Sequence, residues 1–347
     1  MTIEYRPFGG TGIKVSRYSL GAMMFGAGGN RDEAECARIV HAALDAGINF
    51  VDTADVYSGG ESERILAKAL QGRREKVVLA TKCFFPTGRD VNEGGGSRLW
   101  IVRAVEESLR RLGTDWIDVY QLHRRDHATD LEESLAAMHT LREQGKIRVV
   151  GMSATPAETI VEAQWTAERR GLARVRSEQC IYSIFARGAE GGVLPACRRY
   201  GMGVMVYAPL GGGWLAGKYR RGVEVESGSR SKGFWARTGR WDPERAEVQR
   251  KYDLVEALIA LAAEAGLPLT HLAMAFASEH PAVSSAILGP RTFAQAEELL
   301  RGLEVTLPPA VLDRIDALVP PGTDLDPRDT TASNPALEDV GERRRAR

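Results

Sequence analysis

The stretch Ser97–His123 reads SRLWIVRAVEESLRRLGTDWIDVYQLH. Its first part places Val102, Val105, Leu109 and Leu112 on one helical face, with Arg and Glu mainly on the other. Gly113 stops that helix, and Ile117–His123 follows as a short, mostly apolar β-type run. The scheme then repeats. Leu131–Gln144 turns Leu131, Leu135, Met138 and Leu141 inward, Gly145 ends it, and Ile147–Ser153 (IRVVGMS) is again β-type. Apolar runs joined by amphipathic helices are the pattern of parallel strands covered by helices.

Working outward, the same alternation spans the chain. Further β-type runs are Arg17–Ala22, Ile48–Asp52, Val77–Thr81, Val175–Tyr182, Gly203–Tyr207 and Ser284–Gly289, which makes eight in all. Asp32–Ala46 and Glu61–Leu70 read as helices, and Thr155-Pro156 as a cap followed by Pro at the first helical position. Eight strands alternating with helices predict a (β/α)₈ TIM barrel in the α/β class, with long loops on its C-terminal face. A doubly wound open sheet is the main rival, because periodicity does not tell it from a closed one. Tyr5–Val15 (YRPFGGTGIKV) reads as an N-terminal β-hairpin able to plug one end of a barrel. One domain is expected over residues 1–320, with a mobile tail over 321–347. Gly211–Asp242 interrupts the pattern with Gly, Arg and Ser around Trp214, Tyr219, Phe234, Trp235 and Trp241, a length that in a compact domain is usually functional or disordered.

The chain has 347 residues, with 46 Lys+Arg balancing 46 Asp+Glu. Zero formal charge disfavours nonspecific binding to nucleic acid or anionic membrane. The four cysteines (Cys36, Cys83, Cys180, Cys197) form no C-x-x-C pair and fit a reducing compartment. With no signal-like start and no apolar run of membrane-spanning length, a cytoplasmic location is expected. The six histidines make no metal-type pair, so no metal site is expected and a barrel metallohydrolase is disfavoured.

In such a barrel, chemistry gathers at the C-terminal strand ends. The second run ends in Asp52 and leads to Tyr57, the third leads to Lys82, and the fourth ends in His123. Taken singly, each has an ordinary explanation: a capping acid, a packed phenol, a solvated amine, a core imidazole. Together they suit carbonyl reduction. Tyr57 supplies a proton, Lys82 lowers the phenol pKa, Asp52 holds the lysine, and His123 aims the carbonyl oxygen.

The chain resembles the aldo-keto reductase family from about Tyr5 to about Pro320. The resemblance is carried by FGGTGIKVS (8–16), GINFVDTADVYSGGESE (47–63), VVLATK (77–82), AVEESLRRLGTDWIDVYQLHR (104–124), GKIRVVGMS (145–153), VMVYAPLGGGWLAGKY (204–219) and ILGPRTFAQAEELL (287–300). It implies that Asp52, Tyr57, Lys82 and His123 are the catalytic four. It also implies a nicotinamide cofactor lying across the barrel mouth. Gly21, Ala22 and Met23 would line its bed. Ser153 and Gln179 would bond the carboxamide and Tyr207 would stack on the ring. Pro209, Leu210, Gly211, Gly213, Leu215, Gly217 and Lys218 would follow the pyrophosphate, with Gly289, Arg291, Gln295 and Glu298 at the adenosine. Arg291 favours NADP(H) over NAD(H), since its planar fork matches a 2′-phosphate. No G-x-G-x-x-G accompanies a strand, which disfavours a Rossmann site.

The sequence departs from the family at Ala154, where Asn is common, at Leu299, and at Arg124-Arg125-Asp126, which replaces a Pro-containing turn. The expected partner is a small-molecule carbonyl, its pocket lined by Met24, Phe25, Phe84, Trp100 and Trp214. Self-association into a homo-oligomer is left open. A nicotinamide-binding regulatory subunit with little turnover is the competing function.

Overall fold

The computed structural model describes residues 3–224 and 238–329. Phe234 and Trp235 of the Gly-rich stretch, and the tail from residue 330, lie outside the described residues. A hairpin of β1 (Tyr5–Pro7) and β2 (Lys14–Ser16) precedes eight parallel strands. These are β3 (Tyr18–Gly21), β4 (Phe50–Asp52), β5 (Val78–Cys83), β6 (Ile117–Leu122), β7 (Ile147–Ser153), β8 (Ser177–Ile181), β9 (Gly203–Tyr207) and β10 (Ser285–Leu288). Neighbours in sequence are neighbours in space, and β10 pairs with both β9 and β3. That last pairing closes the sheet into a barrel and excludes the open rival.

Helices α1 (Glu33–Asp45), α2 (Glu61–Ala69), α3 (Arg98–Leu112), α4 (Leu131–Glu143), α5 (Ala157–Arg170) and α6 (Val193–Arg199) cross between the strands up to β9. Two helices, α7 (Ala246–Glu264) and α8 (Leu269–Glu279), precede β10, and α9 (Phe293–Leu300) and α10 (Pro309–Leu318) follow it. The expected faces are the buried ones: Leu131, Leu135, Met138 and Leu141 of α4 are all buried, as are Val105, Leu109 and Leu112 of α3. The α5 start differs from the expectation, with Pro156 as the N-cap and Ala157 opening the helix.

The hairpin closes the N-terminal end of the barrel. Phe8 and Val15 pack with Phe50, Ala80, Val119, Val149, Met205 and Ile287 in one buried cluster. Phe8 meets Phe50 edge-on at 5.2 Å. Gly203 leaves the space, since a Cβ there would sit 2.5 Å from the Phe8 ring.

The packed chain runs past residue 320. Arg187 N–H donates to Thr323 O at 3.0 Å, Leu325 N–H donates to Phe185 O at 3.0 Å, and Asp326 is fully buried. Lys251 and Arg328 surround Asp326, so residues 321–329 are pinned by buried charge pairs. Among the described residues no single helix is long and apolar enough to cross a membrane, and no group of three or more His, Cys, Asp or Glu could hold a metal ion.

Candidate active site

Strand periodicity builds the site. Successive inward side chains lie two residues apart. The apolar layer of Phe50, Ala80 and Val119 is therefore followed, one step toward the C-terminal ends, by Asp52, Lys82 and Gln121. The barrel interior thus changes from hydrocarbon to polar within one step on three adjacent strands. Gly151 on β7 makes this layer possible: a Cβ there would sit 2.3 Å from Ser177 Oγ and 2.8 Å from Gln121 Cγ.

Lys82 is the hub. Its side chain has no exposed surface, and its Nζ donates to Asp52 Oδ2 at 2.6 Å, to Thr53 O at 2.7 Å and to Tyr57 Oη at 3.3 Å. The other Asp52 oxygen accepts from Gln179 Nε2 at 2.8 Å and from Gln121 Nε2 at 3.4 Å. Burial works against the ammonium of Lys82, but Asp52, Tyr57 and their hydrogen bonds outweigh it and hold Lys82 above the ordinary lysine value. The buried pair is thus matched in charge and in hydrogen bonds, the condition under which such a pair is tolerated.

The same balance corrects the expectation for Tyr57. Burial is the largest influence on its phenol, Lys82 only partly offsets it, and Asp52 adds to it, so the group titrates above its ordinary value. His123 moves the other way. Burial, Lys82 and Arg124 all disfavour its cation and hold it well below the ordinary value. Its ring meets Tyr57 edge-on at 5.8 Å and Phe85 at 4.9 Å, and its buried Nδ1 has no hydrogen-bond partner. Asp52, Tyr57, Lys82 and His123 are therefore assembled at one barrel mouth.

The expected cofactor residues lie around that mouth. Gly21 and Gly289 stand side by side at the ends of β3 and β10, with Ala22 buried and Met23 half-buried beyond them. Tyr207 ends β9, half-buried; burial pushes it up to about 12 against the pull of Arg124. Ser153 and Gln179 differ from their expected use. Gln179 turns its amide nitrogen to Asp52, and the Ser153 hydroxyl donates to Gln179 O at 3.1 Å. The buried Asp52 carboxylate draws the Gln179 amide inward, and a neighbouring backbone carbonyl takes the Ser153 hydroxyl. The loop after Pro209 is a tight 3₁₀ stretch in which Gly211, Gly212, Gly213 and Gly217 all have left-handed φ. The N–H groups of Gly211, Gly213, Leu215 and Gly217 bond within that turn, so they are not free donors. Leu210 is half-buried and Lys218 is exposed.

At the far end, Gln295 Oε1 accepts from Arg291 N–H at 2.9 Å, and Glu298 is exposed. Glu35, which the sequence reading did not single out, reaches this point from α1. Its carboxylate accepts from Phe293 N–H at 2.8 Å and from Asn30 Nδ2, which also donates to Arg291 O.

The expected pocket residues divide. Met24 and Phe84 are half-buried near the mouth. Phe25, Trp100 and Trp214 belong to the hydrophobic core, closed off from solvent. Trp214 is 5.0 Å from both Tyr219 and Tyr252, and Tyr219 meets Trp241, so the described aromatics of the Gly-rich stretch pack on one another and on α7. The sequence reading also missed Gln121, although the period of two in Val119, Gln121 and His123 places all three on one face.

Comparison with known proteins agrees with this geometry. The family model described as the aldo/keto reductase family matches residues 18–320. An uncharacterised oxidoreductase of Bacillus subtilis is 37% identical over 331 residues, covering 92% of this chain and 96% of its own. A probable voltage-gated potassium channel subunit beta of Oryza sativa is 35% identical over 323 residues, covering 91% and 97%. An aldo-keto reductase of Metarhizium robertsii is 33% identical over 335 residues, covering 88% of each chain. A closed eight-stranded barrel with a buried Lys–Asp pair beneath a tyrosine is the framework of a nicotinamide-dependent oxidoreductase. The chain belongs to the aldo/keto reductase family.

Proposed function

We propose that the protein reduces an aldehyde or ketone to the alcohol, with NADPH as the favoured cofactor and Tyr57 as the proton donor. The observation that carries this reading is the three-way contact of Lys82 Nζ with Asp52, Thr53 O and Tyr57 Oη. A bound nicotinamide would supply the hydride. Tyr57, held protonated by burial, gives its proton to the carbonyl oxygen. As negative charge grows on Tyr57 Oη, the ammonium 3.3 Å away stabilises it. Asp52 compensates that ammonium, and Gln121 and Gln179 fix Asp52. His123, uncharged at neutral pH, offers a ring nitrogen that orients the carbonyl oxygen toward Tyr57.

The residues present fit a dinucleotide. A half-buried tyrosine ends β9, and a Cβ at Gly289 would meet nothing closer than Gly21 O at 4.0 Å. NADPH preference rests on Arg291 at the start of α9. Glu35, which reaches the same helix start from α1, opposes it, because a carboxylate repels a 2′-phosphate.

The competing reading, a nicotinamide-binding subunit with little turnover, draws on the relatives described as potassium channel beta subunits. A carbonyl panel assayed with NADPH and NADH decides between them. Carbonyl-dependent cofactor oxidation supports the reductase, and tight cofactor binding without turnover on any carbonyl supports the subunit.

A further inference from the structure

We propose that Arg124 is a specificity-determining residue, and that the carbonyl compound the site is built for carries a carboxylate that pairs with it. This rests on the reading of the site as a carbonyl reductase.

Arg124 directly follows His123 at the end of β6, in place of the family's proline-containing turn. Its Nη1 donates to His123 O at 2.7 Å, and its Cζ lies 5.9 Å from the centre of the Phe85 ring. Phe85 in turn meets His123 edge-on at 4.9 Å. The guanidinium is therefore held against the same wall as the imidazole. Its charge is felt at His123, at Tyr57 and at Tyr207, groups that follow three different strands. A cation that reaches all three stands at the mouth rather than outside it.

That cation is half-buried, and among the described residues no carboxylate pairs with it. Other arginines among the described residues are different. Arg240 is paired with Asp329, and Arg187 with Glu190 and Asp316. Arg125 turns its Nη1 to Thr129 O. Glu178 feels Arg124 but forms no ion pair with it; one Glu178 oxygen accepts from Thr155 N–H and the other is buried with no partner. A partly desolvated cation without a counter-ion is costly, and an anionic ligand removes that cost. The planar fork of arginine matches a carboxylate in two parallel hydrogen bonds. A single arginine balances a monoanion, and Phe85 offers a flat apolar wall between the charged end and the reacting carbonyl.

The test compares 4-carboxybenzaldehyde with methyl 4-formylbenzoate, which present the same aldehyde with and without the charge. The full-length protein and its Arg124→Gln and Arg124→Lys variants are assayed with each aldehyde and each cofactor. The readout is the ratio of kcat/KM between acid and ester, because any effect of Arg124 on Tyr57 or His123 is shared by both substrates and cancels. The wild-type ratio is expected to favour the acid by roughly 10-fold or more, the size of a charge-assisted bidentate contact. It should fall toward one in Arg124→Gln and lie between in Arg124→Lys. A wild-type ratio near one, or a ratio that Arg124→Gln leaves unchanged, overturns the proposal while leaving carbonyl reduction intact. Benzoate binding to the cofactor-loaded protein reads the same contact without turnover. If no aldehyde is reduced but benzoate binding is lost in Arg124→Gln, the reductase reading fails and the anion contact stands. If benzoate binds wild type and variant alike, the contact fails.

Discussion

Asp55 follows Asp52 closely in the chain but faces a different environment. Both its carboxylate oxygens are buried without hydrogen-bond partners, and burial together with the nearby Glu63 pushes its pKa up to about 8. In the unfolded chain the group ionises near its ordinary value of about 4. Between those values the folded state holds a proton that the unfolded state releases, so this group costs stability as pH rises from 4 to 8. Asp55→Asn should therefore be more stable than wild type at pH 8, on the order of a few kcal/mol, with the gap shrinking toward pH 5. Thermal melts across that range measure it. Lys82→Met has the opposite sign. It strands Asp52 in the barrel and should cost about 3–5 kcal/mol in chemical denaturation, together with most of the activity. The gathering of Asp52, Tyr57, Lys82 and His123 at one rim was legible because strand ends can be read from sequence. The use of Gln179 was not, because its partner is an Asp on a distant strand. The direction of the Tyr57 shift was also hidden: adjacency to Lys82 is visible in the motif, but the burial that outweighs it is a property of the folded barrel.

At the scale of elements, the eight staves and the hairpin were legible from apolar runs and glycine stops. The closure of the sheet was not, since the β10–β3 and β10–β9 pairings join the ends of the array. The hairpin plug depends on a glycine across the barrel. Gly203→Ala should force Phe8 out of its seat and destabilise by about 1–3 kcal/mol, measured by the denaturation midpoint. Combining it with Phe8→Ala should cost less than the sum of the two, because the clash disappears with the ring. The α1–α9 contact carries a second expectation. Removing the charge of Glu35 beside the start of α9 with Glu35→Gln should raise the ratio of kcat/KM for NADPH over NADH, while Arg291→Gln should lower it. Trp214 of the Gly-rich stretch reads from sequence as a pocket residue. Trp214 is core because α7, which follows the stretch, supplies Tyr252 to pack on it.

For the whole molecule, the barrel is closed from one end by the hairpin and clasped on its flank by residues 321–329. A chain ending at residue 320 leaves the buried Lys251 without Asp326 and Asp329, and Arg187 without its backbone contact to Thr323. It should melt several degrees below a chain ending at residue 329. The clasp was not legible because its residues are polar and lack periodicity; their partners, Phe185, Arg187 and Lys251, lie far back in the chain. The fold thus buries the Lys82–Asp52 pair within hydrogen-bond reach of Tyr57. The most direct measurement of that arrangement is kcat for Tyr57→Phe on a reducible aldehyde, with NADPH affinity measured on the same sample. The expected result is a loss of at least about 100-fold in kcat with cofactor affinity preserved, the size of a general-acid contribution. A variant that keeps wild-type kcat would contradict Tyr57 as the proton donor.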